Sequence, residues 1–363
     1  MNCTVNVMMF GGRRCGKTSV IAAMKNCFQN VFGERTNLDI AISDPETMNI
    51  IDEKNAEIIQ YFSNKSRSII LDAGKSDDMI NYKMDISIKG KNGKIVLDIC
   101  DYPGEWFIKK SGRNDEWTMH QDKLKKAMQK CNIIIVATDT VYLMEKAETH
   151  KGDSVGQFNE GRNYCSRIAN MIKSYFNVQA GQPPKMILFV PLKCEKYYNR
   201  GDMSLVNQRI HTAYKEIFDY ISGNNKNNYE VLIAPILTFG KNTVEFSRFA
   251  YDENDEEIII DEETHIPSVS KYIFMDMNAS YSPQFCEQPL LYTLAYLLGE
   301  MQRLKEAEKK DARLHKKIFL YFRETFGSLA SAGDFLEQKT TIIGQLKKSG
   351  DGYEIVNDPL HFR

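Results

Sequence analysis

The chain has 363 residues, 42% of them hydrophobic and 26% charged, with a formal net charge of −1. This balance suits a globular protein that buries a sizeable core as one large domain or a domain with an appendage, and it gives no overall electrostatic pull toward nucleic acid or an anionic membrane. Its eight cysteines form no C-x-x-C pair and read as reduced core thiols of a cytoplasmic protein, while no apolar run approaches the ~20 residues of a membrane span and a strand starting so near Met1 leaves no room for a signal peptide.

The first predicted element is a buried strand from Thr4 to Phe10, followed by Gly11-Gly12-Arg13-Arg14-Cys15-Gly16-Lys17-Thr18-Ser19 and a helix-like segment. This is G-x-x-x-x-G-K-[ST] in the order strand, loop, helix that a P-loop requires. Glycines let backbone N–H groups turn onto phosphate oxygens, Lys17 places a point charge on the outer phosphates, and Thr18 offers its hydroxyl to Mg²⁺. Arg13 and Arg14 either neutralise γ-phosphate charge or point to solvent. Cys15 suits a tight loop by its small size; an oxidant-sensing role is the alternative.

Residues 31–80 form a first insertion, in which Ser43-Asp44-Pro45-Glu46 signals a helix start and Ile50, Ile51, Ile58, Ile59 and Phe62 follow at helical spacing. Strands are then predicted over Lys83 to Lys89 and Ile95 to Cys100, joined by Gly90-Lys91-Asn92-Gly93 as a hairpin, which makes one edge strand antiparallel. The second of them runs into Asp101-Tyr102-Pro103-Gly104, a D-x-x-G motif. In P-loop enzymes the aspartate of such a strand holds Mg²⁺ and the glycine lets an N–H reach the γ-phosphate, so Thr18 and Asp101 are the candidate metal ligands and Gly104 the phosphate contact.

The segment from Leu97 to Glu105 resembles the strand and switch II of Ras-like GTPases of the translation-factor-related class. Residues Asp101 to Trp106 are similar to those of bacterial YcjX-type stress GTPases and of the double-GTPase domains of bacterial conflict systems. The resemblance spans roughly residues 1–300 and rests on a few short motifs. It implies that Glu105, directly after D-x-x-G, positions the attacking water, with Lys17 and Arg13 as further catalytic candidates. It also implies a switch I threonine, for which Thr36, Thr47 and Ser76 compete.

Further strands are predicted from Asn132 to Ala137, Met186 to Val190 and Val231 to Ile236, with a mobile insertion at 138–158. Leu192-Lys193-Cys194-Glu195 stands where the family carries [NT]-K-x-D. There the Lys193 stem would cover a guanine and Glu195 would accept its N1–H and amine, while Leu192 departs from the pattern. Thr238-Phe239-Gly240-Lys241 occupies the position of the S-A-K loop, with the Gly240 N–H toward the guanine carbonyl and Lys241 beside it. A third insertion, 242–280, reads as a β-hairpin or small meander with the acidic tip Tyr251-Asp252-Glu253-Asn254-Asp255-Glu256, either a solvated edge or a docking arm. An apolar helix from Gln288 to Gly299 closes the core. A helical extension over 301–363, basic then aromatic, packs on its own domain or meets a partner helix or membrane surface.

The expectation is therefore a three-layer αβα P-loop sandwich, mostly parallel, over residues 1–300. The function the resemblance implies is Mg²⁺-dependent binding of GTP or GDP and GTP hydrolysis, slow without a partner protein at the switch regions, hairpin or C-terminal helix. The protein would be a switch in a bacterial stress or conflict system; the alternatives are a nucleotide-binding scaffold and an ATPase.

Overall fold

The computed structural model describes residues 2–32, 38–64, 68–70, 79–90, 94–107, 114–146, 158–178, 184–223, 225–249, 259–260, 266–267, 269–310, 342, 344 and 351–359. The chain begins with β1 (Asn2–Phe10), α1 (Lys17–Phe32), β2 (Leu38–Ala41), α2 (Pro45–Ser63), β3 (Ser68–Ile70), β4 (Ile80–Ile88) and β5 (Lys94–Asp101). A 3-10 turn at Gly104–Phe107 leads to α3 (Asn114–Lys130), β6 (Ile133–Asp139), α4 (Thr140–Met144), α5 (Asn159–Asn163), α6 (Cys165–Tyr175) and β7 (Lys185–Leu192). Then come α7 (Glu195–Arg200), α8 (Met203–Ala213), α9 (Lys215–Ser222), β8 (Tyr229–Ile233), β9 (Val244–Phe249), β10 (Ser270–Phe274), α10 (Gln288–Lys310) and β11 (Glu354–Asn357).

The main sheet has the order β11-β8-β7-β6-β1-β5-β4-β2, and its five strands from β8 to β5 run parallel. Side chains alternate across β1: Val5, Val7 and Met9 join the core under α1 and α10, whereas Met8 and Phe10 join the one under α3 and α6. Burial on both faces is what a near-continuous apolar strand requires. Helices accordingly cover both sides of the sheet, the α/β layering the sequence predicts.

The hairpin forms between β4 and β5, with Met84 opposite Leu97. Its antiparallel strand is not an edge, however, because β2 pairs with it in turn, from Leu38 opposite Ile88 to Ala41 opposite Asp85. At the other side β11 pairs antiparallel with β8. Two expectations are thus corrected: the sheet has an antiparallel strand at one edge and a two-strand antiparallel extension at the other, and the stretch 301–363 supplies a strand as well as helix. The reason is shared, since the outer backbone groups of β4 and β8 need hydrogen-bond partners.

Insertion 242–280 forms the antiparallel pair β9 and β10, and β3 of the first insertion adds to it as a three-stranded sheet. The acidic tip and the basic and aromatic stretch 311–326 lie outside the described residues. Asp44 caps α2, accepting the Thr47 N–H at 2.9 Å and the Thr47 hydroxyl at 2.7 Å, with Pro45 at the first helical position. Ile51, Ile58 and Phe62 point inward, but Ile59 is 51% exposed, because one residue turns the helix by about 100°. The first part of the expected mobile insertion, 138–143, is buried and includes α4; residues 147–157 lie outside the described set. No helix among the described residues is long and apolar enough to cross a membrane.

Candidate functional site

β1 feeds the glycine-rich loop and α1 carries the chain away from it. Lys17 folds back over this loop, its Nζ donating to the carbonyls of Gly11 at 3.1 Å and Gly12 at 3.4 Å, and it stands 3.5 Å from the Asp101 carboxylate. Asp101 reaches this point because β5 lies in register beside β1, with Met9 opposite Asp101. Two close approaches require glycine. A Cβ on Gly12 would lie 1.9 Å from the Arg162 carbonyl oxygen, and one on Gly104 would lie 2.5 Å from the Arg13 backbone nitrogen. The loop is therefore clamped between α5 on one side and the D-x-x-G turn on the other.

Thr18 and Asp101 present a hydroxyl and a carboxylate oxygen, the donor chemistry of a hard divalent cation. Behind them Tyr82 is fully buried; burial first, and the charge of Asp101 next, push its phenol up to about 12. Cys15 is buried, and burial raises its thiol pKa, with Lys17 opposing. A buried thiol of this kind is held as the unreactive thiol form. Glu105 lies in the 3-10 turn, and its side chain is outside the described residues. Of the three candidate switch residues, Thr36 and Ser76 are also outside them, and the Thr47 hydroxyl is taken by the helix cap.

The loop is also braced by Lys193, which the sequence pattern singles out, and by Asp139, Arg162 and Asn163, which it does not. Lys193, in a left-handed conformation with φ 56°, turns its ammonium to the Arg14 carbonyl at 2.7 Å and to Asp139 at 2.8 Å. Burial lowers its pKa, and Asp139 opposes that. Asp139 is fully buried and lies 3.4 Å from the Arg162 Nε, while the Arg162 guanidinium sits 4.7 Å over the Tyr142 ring. Burial alone would weaken the Arg162 charge; Tyr142 and Asp139 outweigh it and raise its pKa. Asn163 fixes Asp139 by accepting its N–H at 2.8 Å and donating to its carbonyl at 3.2 Å. These groups meet only because β6 ends beside β7, Asp139 opposite Leu192.

Glu195 opens α7 and is buried, accepting the Phe239 N–H at 2.9 Å. Burial pushes its carboxyl up to about 7, against the lowering effect of that N–H. Gly240 packs on Ser282, and Lys241 is exposed, its ammonium 5.6 Å from the Tyr198 ring centre.

A cavity of about 320 Å³ opens beside the loop. Residues 13–19 and 101–104, Lys193, Phe239 and six residues of α2 line it. Arg13, Arg14, Cys15, Gly16, Lys17, Thr18, Ser19, Asp101, Gly104 and Lys193 are thus brought together, and both arginines face the cavity. Glu195, Gly240 and Lys241 are not among its lining residues. The α2 wall was beyond sequence reasoning, which marked a helix there but not what it faces. Set against known proteins, the chain matches no protein-family model and no curated protein.

Proposed function

We propose that this protein binds a Mg²⁺–guanosine triphosphate on residues 11–19 and hydrolyses it slowly, acting as a nucleotide-controlled switch for a protein partner in a multi-component system. The observation that carries this reading is the convergence of Lys17, Thr18, Asp101 and Gly104 at the C-terminal ends of two adjacent parallel strands, where α/β sheets bind their ligands. Loop N–H groups and Lys17 would hold the phosphates, Thr18 and Asp101 would hold the cation, and the Gly104 N–H is the candidate contact to the terminal phosphate. The cation supplies neutralisation of charge between the outer phosphates. Arg13 and Arg14, on the cavity wall, add positive charge to it, and Glu105 is the candidate for orienting water.

Glu195 favours a second reading of the base. Its carboxylate is engaged with Phe239, so adenine is the alternative to guanine. Calorimetry with GTP, GDP and ATP, with and without Mg²⁺, tests both. Wild type is expected to bind a nucleoside triphosphate in a Mg²⁺-dependent way and Lys17→Ala to lose at least tenfold in affinity; equal binding by the two proteins overturns the assignment. Single-turnover phosphate release then separates a hydrolase from a scaffold.

A further inference from the structure

Part of the cavity's lining belongs to an inserted helix. Ile50, Glu53, Lys54, Glu57, Ile58 and Tyr61 of α2 line the cavity, and their spacing places them on one stripe of the helix. Residues 52, 56, 59, 60 and 63 on the other side are exposed. The two ends of the stripe pack on different parts of the chain. Near its start Thr47 meets β4 through the Asn81 carbonyl, and Ile50 packs on the core of α1. Its C-terminal half packs near Phe239: Ile58 and Phe62 share a cluster with it, the Phe62 and Phe239 rings 6.2 Å apart. Phe239 lines the same cavity, as does Lys193, whose ammonium lies 2.7 Å from the Arg14 carbonyl.

What a nucleoside needs there is an apolar slab for its ring and an acceptor for its N–H edge. Glu195 does not line the cavity and already accepts a backbone N–H. Glu57 does line it, as a half-exposed carboxylate paired with Lys54 at 2.6 Å and within 3.4 Å of the Tyr61 hydroxyl. Tyr61, Ile58 and Phe239 give the cavity an apolar lining, with Glu57 one turn before Tyr61 and Glu53 one turn earlier still. A volume of about 320 Å³ lies in the range that small-molecule pockets occupy.

We infer that α2 reads the nucleoside of the bound nucleotide: a purine lies against Tyr61 and Phe239, with its N–H edge on the Glu57 carboxylate. This rests on the phosphate site proposed above. It moves base recognition from Glu195 to an insertion that arrives between β2 and β4.

The test separates nucleoside from phosphate. Mg²⁺ complexes of GTP, ATP and inorganic tripolyphosphate are titrated into wild type, Glu57→Gln, Tyr61→Ala, Lys17→Ala and, as a control on the exposed side of α2, Asp52→Asn. Wild type is expected to bind one of the two nucleotides more tightly than tripolyphosphate. Glu57→Gln and Tyr61→Ala should each weaken that nucleotide about tenfold, the size of one hydrogen bond to a charged group or one stacked ring, and leave tripolyphosphate unchanged. Asp52→Asn should behave as wild type. Nucleotide affinity unchanged in both α2 variants overturns the inference, and so does an equal loss for nucleotide and tripolyphosphate. If instead Lys17→Ala binds both ligands as wild type does, the phosphate site itself is wrong, a failure distinguishable from that of α2.

Discussion

A carboxyl group buried like that of Glu195, with a backbone N–H as its partner, is more stable protonated than ionised. Its pKa moves from 4.5 to about 7 on folding, chiefly through burial, so between those values the folded chain holds a proton that the unfolded chain has lost. Stability is therefore greatest below pH 4.5 as far as this group is concerned and falls as pH rises through 7, by roughly 3 kcal/mol in all. Glu195→Gln keeps an acceptor for the Phe239 N–H and removes the titration. Urea unfolding at pH 5 and pH 8 should show wild type losing up to roughly 3 kcal/mol more than the variant over that interval. The same pH dependence in both proteins would mean that another group titrates. This environment also explains why an acid at the position of a base-reading motif lies off the cavity: α7 begins at Glu195 and aims its side chain into the turn after β8.

At the scale of elements, β11 is the piece whose contribution is easiest to measure. It protects the outer edge of β8, and Asn357 donates to the carbonyls of Lys226 and Tyr229, both at 2.6 Å. Neighbouring contacts tie the same segment down: Asn207 donates to the Gly352 carbonyl at 3.0 Å, and Tyr353 stacks on Tyr292. Asn357→Ala leaves the buried side of this edge short of donors, at a cost of about 2 kcal/mol, visible as a lower urea midpoint with faster amide exchange in β8. An unchanged midpoint would place β11 outside the cooperative unit.

Across the whole molecule, the cavity is lined by both the sheet's own loop and a helix inserted beside it, so a ligand there adds a bridge between them to the contacts α2 makes with α1, β4 and Phe239. Binding stabilises the folded state by mass action, by about 2.7 kcal/mol at a ligand concentration a hundred times Kd. For a chain of this size that corresponds to a rise in Tm of about 3–4 °C. Mg²⁺–nucleotide should raise Tm by that order in wild type and much less in Lys17→Ala, and hydrogen exchange should slow in both the glycine-rich loop and α2. Slowing confined to the loop would show that α2 takes no part.

Local chemistry determined the parts of this protein that local chemistry can reach. The glycines, Lys17 and Thr18 sit within eight residues of one another, the β4–β5 hairpin declares itself by its turn, and the leucines of α10 mark a buried helix by their own spacing. Each depends on neighbours a few positions away, which is where turn geometry and helical period act. Only the tertiary structure decided that Asp139 joins Arg162 to Lys193 under the loop, that Glu195 turns to Phe239, that β11 returns to the sheet, and that Glu57 and Tyr61 face a cavity. A stripe of apolar residues states that a face is covered and is silent about what covers it; that choice is made by packing between segments tens to hundreds of residues apart, for which no local pattern exists.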